Sequence, residues 1–244
     1  MAYSWDARIR YSEVGEDKKL TIPGVVDYFQ DCSTFQSEEL GAGLDRLLKR
    51  NRVWVMVSWQ IEFFRRPLLG EHVKIETWPY SFKGFYGERN FRMLDEKGET
   101  LAQAASMWVY LDLESGHFSR VDEDVISVYA LEEPLPMQPI KRKIPVPQGS
   151  AAREPFTVMH NHLDTNHHVN NVQYIVMAQE YLPEGYQVSG LRVEYKKQAV
   201  LHDTIVPLIY EEEGRIVVSL CDTEEKPYAV VEFTDARSES QLSC

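Results

Sequence analysis

Residues 191–206, LRVEYKKQAVLHDTIV, lie without a gap on residues 59–74, WQIEFFRRPLLGEHVK, at an offset of 132. Ile61 meets Val193, Glu62 meets Glu194, Phe63 meets Tyr195, Arg65 meets Lys197, Leu69 meets Leu201 and Glu71 meets Asp203. A helical pattern precedes each copy. The first runs from Thr21 to Gly41 with Pro23 in its first turn; Val25, Val26, Phe29 and Phe35 fall at helical spacing, and Gly41 is a natural stop. The second runs from Asn170 to Leu182, with Tyr174, Ile175, Ala178 and Leu182 on one face and Pro183 behind. The helices superpose at an offset of 149, Val25 on Tyr174 and Gln30 on Gln179. Such a repeat confines the chain to two copies of one supersecondary unit, a helix followed by strands.

The strands are antiparallel in pattern. Val57, Trp59, Ile61 and Phe63 alternate with Ser58, Gln60 and Glu62, the period of a half-buried strand. His72–Thr77 repeats the alternation, and Asp95–Gly98 predicts a turn before the strand of residues 101–112. Residues 191–206 are expected as one further strand. Residues 132–155 hold six prolines and no periodic pattern, so they are expected as an extended linker. The expected organisation is a first repeat over 1–131, a linker over 132–155 and a second repeat over 156–244.

Bulk properties narrow the function class. The 244 residues carry a net charge of -12, which argues against nucleic-acid binding, where a basic surface must displace counterions. Cys32, Cys221 and Cys244 are odd in number and widely spaced, which argues against a disulfide framework. No apolar run approaches the ~20 residues of a membrane span. The N-terminal residues show no signal or transit character, so the expected compartment is the cytoplasm.

Four of the seven histidines fall in VMHNHLDTNHHVNN, residues 158–171. Zinc accepts such ligand types, but neighbouring side chains such as His167 and His168 diverge, and no cysteine or other acidic cluster lies close in sequence. No metal or cofactor is expected. Asn170 is a good N-cap for the helix that follows. Neither reading accounts for Asp164, Asn166 and His168 spaced by twos.

The stretch LDTNHHVNNVQYI resembles the signature of the acyl-acyl-carrier-protein thioesterases: Asp-x-Asn-x-His-Val-Asn-Asn, with Tyr three residues further on. WVMVSWQIEFFRRPLLGEHVKIETW, ASMWVYLD and LRVEYKK are similar to strands of that family, so the resemblance spans nearly the whole chain. It implies an α+β double hotdog fold, two repeats of a helix wrapped by a curved antiparallel sheet with the sheets continuous. It also implies hydrolysis of fatty acyl thioesters. That reaction needs an activated water and a donor for the carbonyl oxygen. Asp164, Asn166 and His168, in an extended approach to a helix N-terminus, are expected to point to one side and supply both. At the offset of 149 they fall on Gly15, Asp17 and Lys19, so the first repeat lacks the set.

Plant-type members follow the signature with LEYRREC. This chain reads Glu194-Tyr195-Lys196-Lys197-Gln198-Ala199, with Gln198 at the acid and Ala199 at the thiol, which removes a cysteine nucleophile there. Gln198 can position a water but cannot take its proton, so the base is Asp164 or His168. Alternation from Leu191 places Gln198 on the polar face with Glu194, so placing it in the site needs a bulge near Lys196 or a pocket on that face. Glu194 matches Glu62 of the other repeat and reads as structural. Trp54, Trp59, Val25 and Phe29 are candidates to line an acyl slot. The implied partner is acyl carrier protein, itself acidic, which needs a local basic patch: Lys141–Lys143, Arg65–Arg66 or Lys196–Lys197. A homodimer is a further expectation. An acyl-CoA thioesterase and a non-catalytic acyl-binding protein stand as alternatives.

Overall fold

The structure, a computed structural model, describes residues 2–235; Cys244 lies outside them. The chain divides into two compact units, Met1–Val57 with Phe63–Ile140, and Ser58–Glu62 with Lys141–Cys244. Its elements are β1 (Tyr3–Arg8), α1 (Ile22–Glu39), α2 (Leu44–Leu48), β2 (Arg52–Phe63), β3 (His72–Lys83), β4 (Tyr86–Asp95), β5 (Thr100–Asp112), α3 (Glu123–Ile126), β6 (Ala151–Ala152), β7 (Phe156–Thr157), α4 (Asn171–Gln179), β8 (Val188–Tyr195), β9 (Thr204–Glu212), β10 (Arg215–Cys221) and β11 (Pro227–Asp235).

In the first unit the antiparallel order is β1-β3-β4-β5-β2, and α1 packs on β1 and β3. Thr21 caps α1 by accepting the Gly24 N–H at 3.1 Å, and Gly41 ends it with a left-handed φ of 66°. The buried face of α1 (Val25, Val26, Phe29, Cys32) meets Ile75 and Phe91 of the sheet, with the Phe29 and Phe91 rings 5.4 Å apart. In the second unit, Ser58–Glu62 of β2 pairs with β8, and the order continues β8-β11-β10-β9, with α4 against β10 and β11. The Asp95–Gly98 turn forms as expected, with Gly98 at a φ of 81°. Each unit is thus one long helix laid on antiparallel strands, the hotdog arrangement.

Two expectations change. Residues 191–206 are not one strand: β8 stops at Tyr195 and β9 starts at Thr204, with His202 at a φ of 71° between them. The first repeat makes the same break at Gly70, φ 83°. The linker is also more than a tether. Arg192 Nη2 donates to the carbonyls of Lys141 (2.9 Å) and Lys143 (3.0 Å), Arg215 Nη2 donates to that of Pro145 (2.6 Å), and the Ile144 N–H donates to Glu194 Oε2 (3.0 Å). Glu232 bridges the two arginines at 3.0 and 2.5 Å. Ile144 completes a cluster with Val217 and Val230. Glu194 is therefore structural: it anchors this segment and pairs with Lys196 at 3.1 Å.

The helix α1 carries two carboxyls held above their ordinary range, Asp31 by burial and Asp27 more strongly. Partial desolvation, then the Asp31 and Glu13 charges, raises Asp27 from its ordinary 3.8 to about 6. An acid whose folded-state pKa is raised binds its proton more tightly when folded. Its contribution to stability is therefore lost as pH rises from about 4 to about 6, and the deficit is complete above that. Asp27→Asn is expected to raise Tm by about 1–2 °C at pH 8 and hardly at all at pH 3.5, a modest gain because the site is solvent-screened. Equal shifts in melts at both pH values would contradict this account.

Candidate active site

The stretch 160–170 folds as a short 3-10 turn (His160–His162), then a hairpin, then the cap of α4. The hairpin is closed by Leu163 bridging Val169 and by the Asp164 N–H donating to the His168 carbonyl at 2.8 Å. The His167 N–H donates to the Asp164 carbonyl at 3.1 Å, and His167 sits at a φ of 61°. This is a three-residue loop ending in a left-handed position, which His tolerates better than most residues. The expected extended approach is therefore corrected. Asp164 and His168 face each other across a two-strand ladder, and Asn166 stands at the tip.

The carboxylate of Asp164 organises this turn. Its Oδ1 accepts the Asn166 N–H at 2.8 Å and the His168 N–H at 3.3 Å. Both bonds use the same oxygen, and Oδ2 is left out of them. Asp164 and His168 are half-buried, whereas Asn166 and Gln198 are exposed. The Nδ1 of His168 is buried and has no hydrogen-bond partner among the described residues. Directly after it, Asn170 caps α4 as expected, its Oδ1 accepting the Val172 N–H at 2.9 Å.

The segment carrying Gln198 lies against this hairpin. His168 bridges Val200, and the Val169 N–H donates to the Ala199 carbonyl at 2.9 Å. Past the end of β8 the N–H groups of Lys196 and Lys197 both donate to the Tyr228 carbonyl, at 2.8 and 3.3 Å, the bonding pattern of a bulge. Two tyrosines fix the segment from the helix side. The Ala199 N–H donates to the Tyr174 hydroxyl at 3.0 Å, and the Tyr195 hydroxyl donates to the Asn171 carbonyl at 3.0 Å. Burial pushes the Tyr174 phenol up to about 12, so it stays protonated.

The remaining histidines divide by role. His162 Nδ1 accepts the Met159 N–H at 3.0 Å and ties off the 3-10 turn, while the exposed His160 stands edge-on to His202. Among the described residues no group of three or more His, Cys, Asp or Glu side chains is arranged to hold a metal. Cys32 and Cys221 are buried, and burial raises their thiols to about 12 and about 11, so neither supplies a thiolate. Val25, Phe29 and Trp59 are closed off in the core, at 1%, 0% and 1% exposure; Trp54 is half-buried beside Phe82 and Tyr110.

The first unit builds the same backbone without the chemistry. The Gly15 N–H donates to the Lys19 carbonyl at 3.0 Å, the Lys18 N–H to the Gly15 carbonyl at 2.9 Å, and Lys18 takes the left-handed position with φ 60°. There Asp17, at the place of Asn166, holds the turn by accepting the Lys19 N–H at 3.1 Å.

Two helix-on-sheet units make a double hotdog fold, and one of them bears the Asp164-Asn166-His168 hairpin beside a helix N-terminus. Residues 2–129 match the acyl-ACP thioesterase N-terminal domain and residues 147–239 its C-terminal domain, and the chain belongs to that family. It is 30% identical over 207 residues to a chloroplastic FATB3 acyl-acyl-carrier-protein hydrolase of Cuphea viscosissima, covering 78% of this chain and 50% of that protein. It is 28% identical over 208 residues to a chloroplastic palmitoyl-acyl carrier protein thioesterase of Cuphea hookeriana, covering 78% of this chain and 50% of that protein. The chain spans about half the length of the curated relatives it matches. Among solved structures, an acyl-ACP thioesterase from Bacteroides thetaiotaomicron shares the fold with a TM-score of 0.88 at 19% identity, over 96% of this chain and 97% of that one. A 12:0-ACP thioesterase from Umbellularia californica does so with a TM-score of 0.84 at 21% identity, over 96% of each chain.

Proposed function

We propose that the protein hydrolyses the thioester of fatty acyl-acyl carrier protein and releases the free acid. The observation that carries this reading is the Asp164-Asn166-His168 hairpin, built on a backbone that the first unit shares but leaves chemically empty. Asp164 uses Oδ1 to hold the turn and offers Oδ2 to a water as general base, a role worth ~10²- to 10⁴-fold. His168 acts as the donor. Its buried Nδ1 finds no acceptor, and an unpaired buried N–H costs more than a bare nitrogen, so the proton belongs on Nε2. From there it donates to the developing thioester oxyanion. Asn166 and Gln198, both exposed, orient the carbonyl and the water. Of Trp54, Trp59, Val25 and Phe29, the candidates to line an acyl slot, only Trp54 keeps appreciable exposed surface, so it is the first to substitute.

The carrier is engaged through a basic patch. Arg65 pairs with Glu71 (2.6 Å), Arg66 with Asp17 (2.5 Å), Lys196 with Glu194 and Lys197 with Asp222. Lys141, Arg142 and Lys143 are exposed and make no ion pair among the described residues, on a backbone fixed by Arg192. They are the basic cluster left for an acidic partner. Reversing all three to Glu is expected to raise KM for a carrier-protein thioester about tenfold and leave an acyl-CoA substrate untouched; equal effects on both would remove the patch from the interface.

The test of the whole reading is a chain-length panel of carrier-protein thioesters run beside matched CoA thioesters. Higher kcat/KM on the carrier supports it, and higher kcat/KM on CoA replaces the substrate. Bound acyl ligand with no turnover from pH 6 to 9 would favour a non-catalytic binding protein, the reading that Gln198 in place of an acid most invites.

A further inference from the structure

We infer that Tyr174 is a positioning residue: its hydroxyl, by accepting the buried Ala199 N–H, sets where Gln198 and His168 stand. Ala199 is fully buried, so its amide needs an acceptor, and the Tyr174 hydroxyl is that acceptor at 3.0 Å. The same residue's carbonyl receives the Val169 N–H, and the next residue bridges His168. One hydroxyl on α4 therefore fixes a two-residue step with Gln198 on one side and the His168 ladder on the other.

The first unit shows that the fold does not need this tether. Its equivalent of the Ala199 carbonyl contact is the Leu20 N–H donating to the Pro67 carbonyl at 2.8 Å. Pro67 lies on Ala199 at the offset of 132, and Val25 lies on Tyr174 at the offset of 149. Proline has no N–H to satisfy and valine no hydroxyl to offer, so the turn closes there without either partner. The second tether behaves alike: Tyr195, which donates to the Asn171 carbonyl, is matched by Phe63. Both hydroxyl tethers thus occur in the unit that carries Asp164, Asn166 and His168, and the other unit replaces them with groups that cannot hydrogen-bond. A part required only for folding would be required in both.

The inference rests on the hydrolase reading, and the first unit supplies the variants that test it. Tyr174→Phe removes the acceptor and leaves a buried amide unpaired. Ala199→Pro removes the donor, as Pro67 does. The double variant removes both. Tyr174→Phe is expected to lower Tm and to cut kcat on a carrier-protein thioester about 10- to 100-fold with KM little changed. The double variant is expected to regain Tm but keep the same kcat loss, and the two single losses should not add. The His168 imidazole, followed by NMR titration, should move in all three variants alike. Recovery of kcat together with Tm in the double variant would overturn the proposal, as would additive losses. Should the wild-type protein show no turnover, the hydrolase reading fails, and the His168 titration still decides: displaced signals uphold the positioning role, and wild-type signals in the double variant overturn it.

Discussion

Asp164→Asn is expected to cut kcat on a carrier-protein thioester by about 10²- to 10⁴-fold while leaving Tm almost unchanged. The substitution separates the two duties of this side chain. An asparagine keeps an Oδ1 that can accept the Asn166 and His168 N–H groups, at 2.8 and 3.3 Å from the present oxygen, so the hairpin still closes. What it loses is the anionic oxygen that takes a proton from water. Asp164→Ala removes both, and should add a stability loss of about 1 kcal/mol for the abandoned turn amides. Comparable Tm in wild type and Asp164→Asn, with turnover gone, assigns the base. Wild-type turnover in Asp164→Asn would move the base elsewhere, and His168 would then be the next group to test.

The repeat made the architecture legible because hydrophobic period and helix caps survive divergence. Thr21 and Asn170 both cap their helices, and two offsets derived from residues alone superpose the hydrogen bonds of both loops. What stayed hidden was backbone conformation carried by residues that do not advertise it. The hairpin lacks glycine; its left-handed position is His167 in one copy and Lys18 in the other. So Asp-x-Asn-x-His looked like an extended run, when its spacing by twos belongs to a turn. The break between β8 and β9 was hidden in the same way by His202, although Gly70 at the matching place in the first copy marked it. The Tyr174 tether had a signal too, a proline in one copy against an alanine in the other. It becomes readable once the partner of the Ala199 amide is known.

His168→Ala is expected to lower kcat about 10²- to 10³-fold. His168→Gln is expected to recover at least about tenfold of that loss, because an amide N–H can also donate to a developing oxyanion. The comparison tests which nitrogen holds the proton. If His168 carries it on Nε2, its catalytic use is donation, and a glutamine N–H reaching the same oxygen retains part of it. If His168 were instead the base, it would have to become an imidazolium. That would create a second N–H at Nδ1, which is buried without an acceptor. A buried donor without an acceptor is unfavourable, which favours donation from Nε2 as the role of His168. Nitrogen chemical shifts of the His168 ring report the tautomer directly and independently of turnover. A proton found on Nδ1, or a glutamine variant no better than alanine, would return the role of base to His168 and leave Asp164 as the residue that holds the turn.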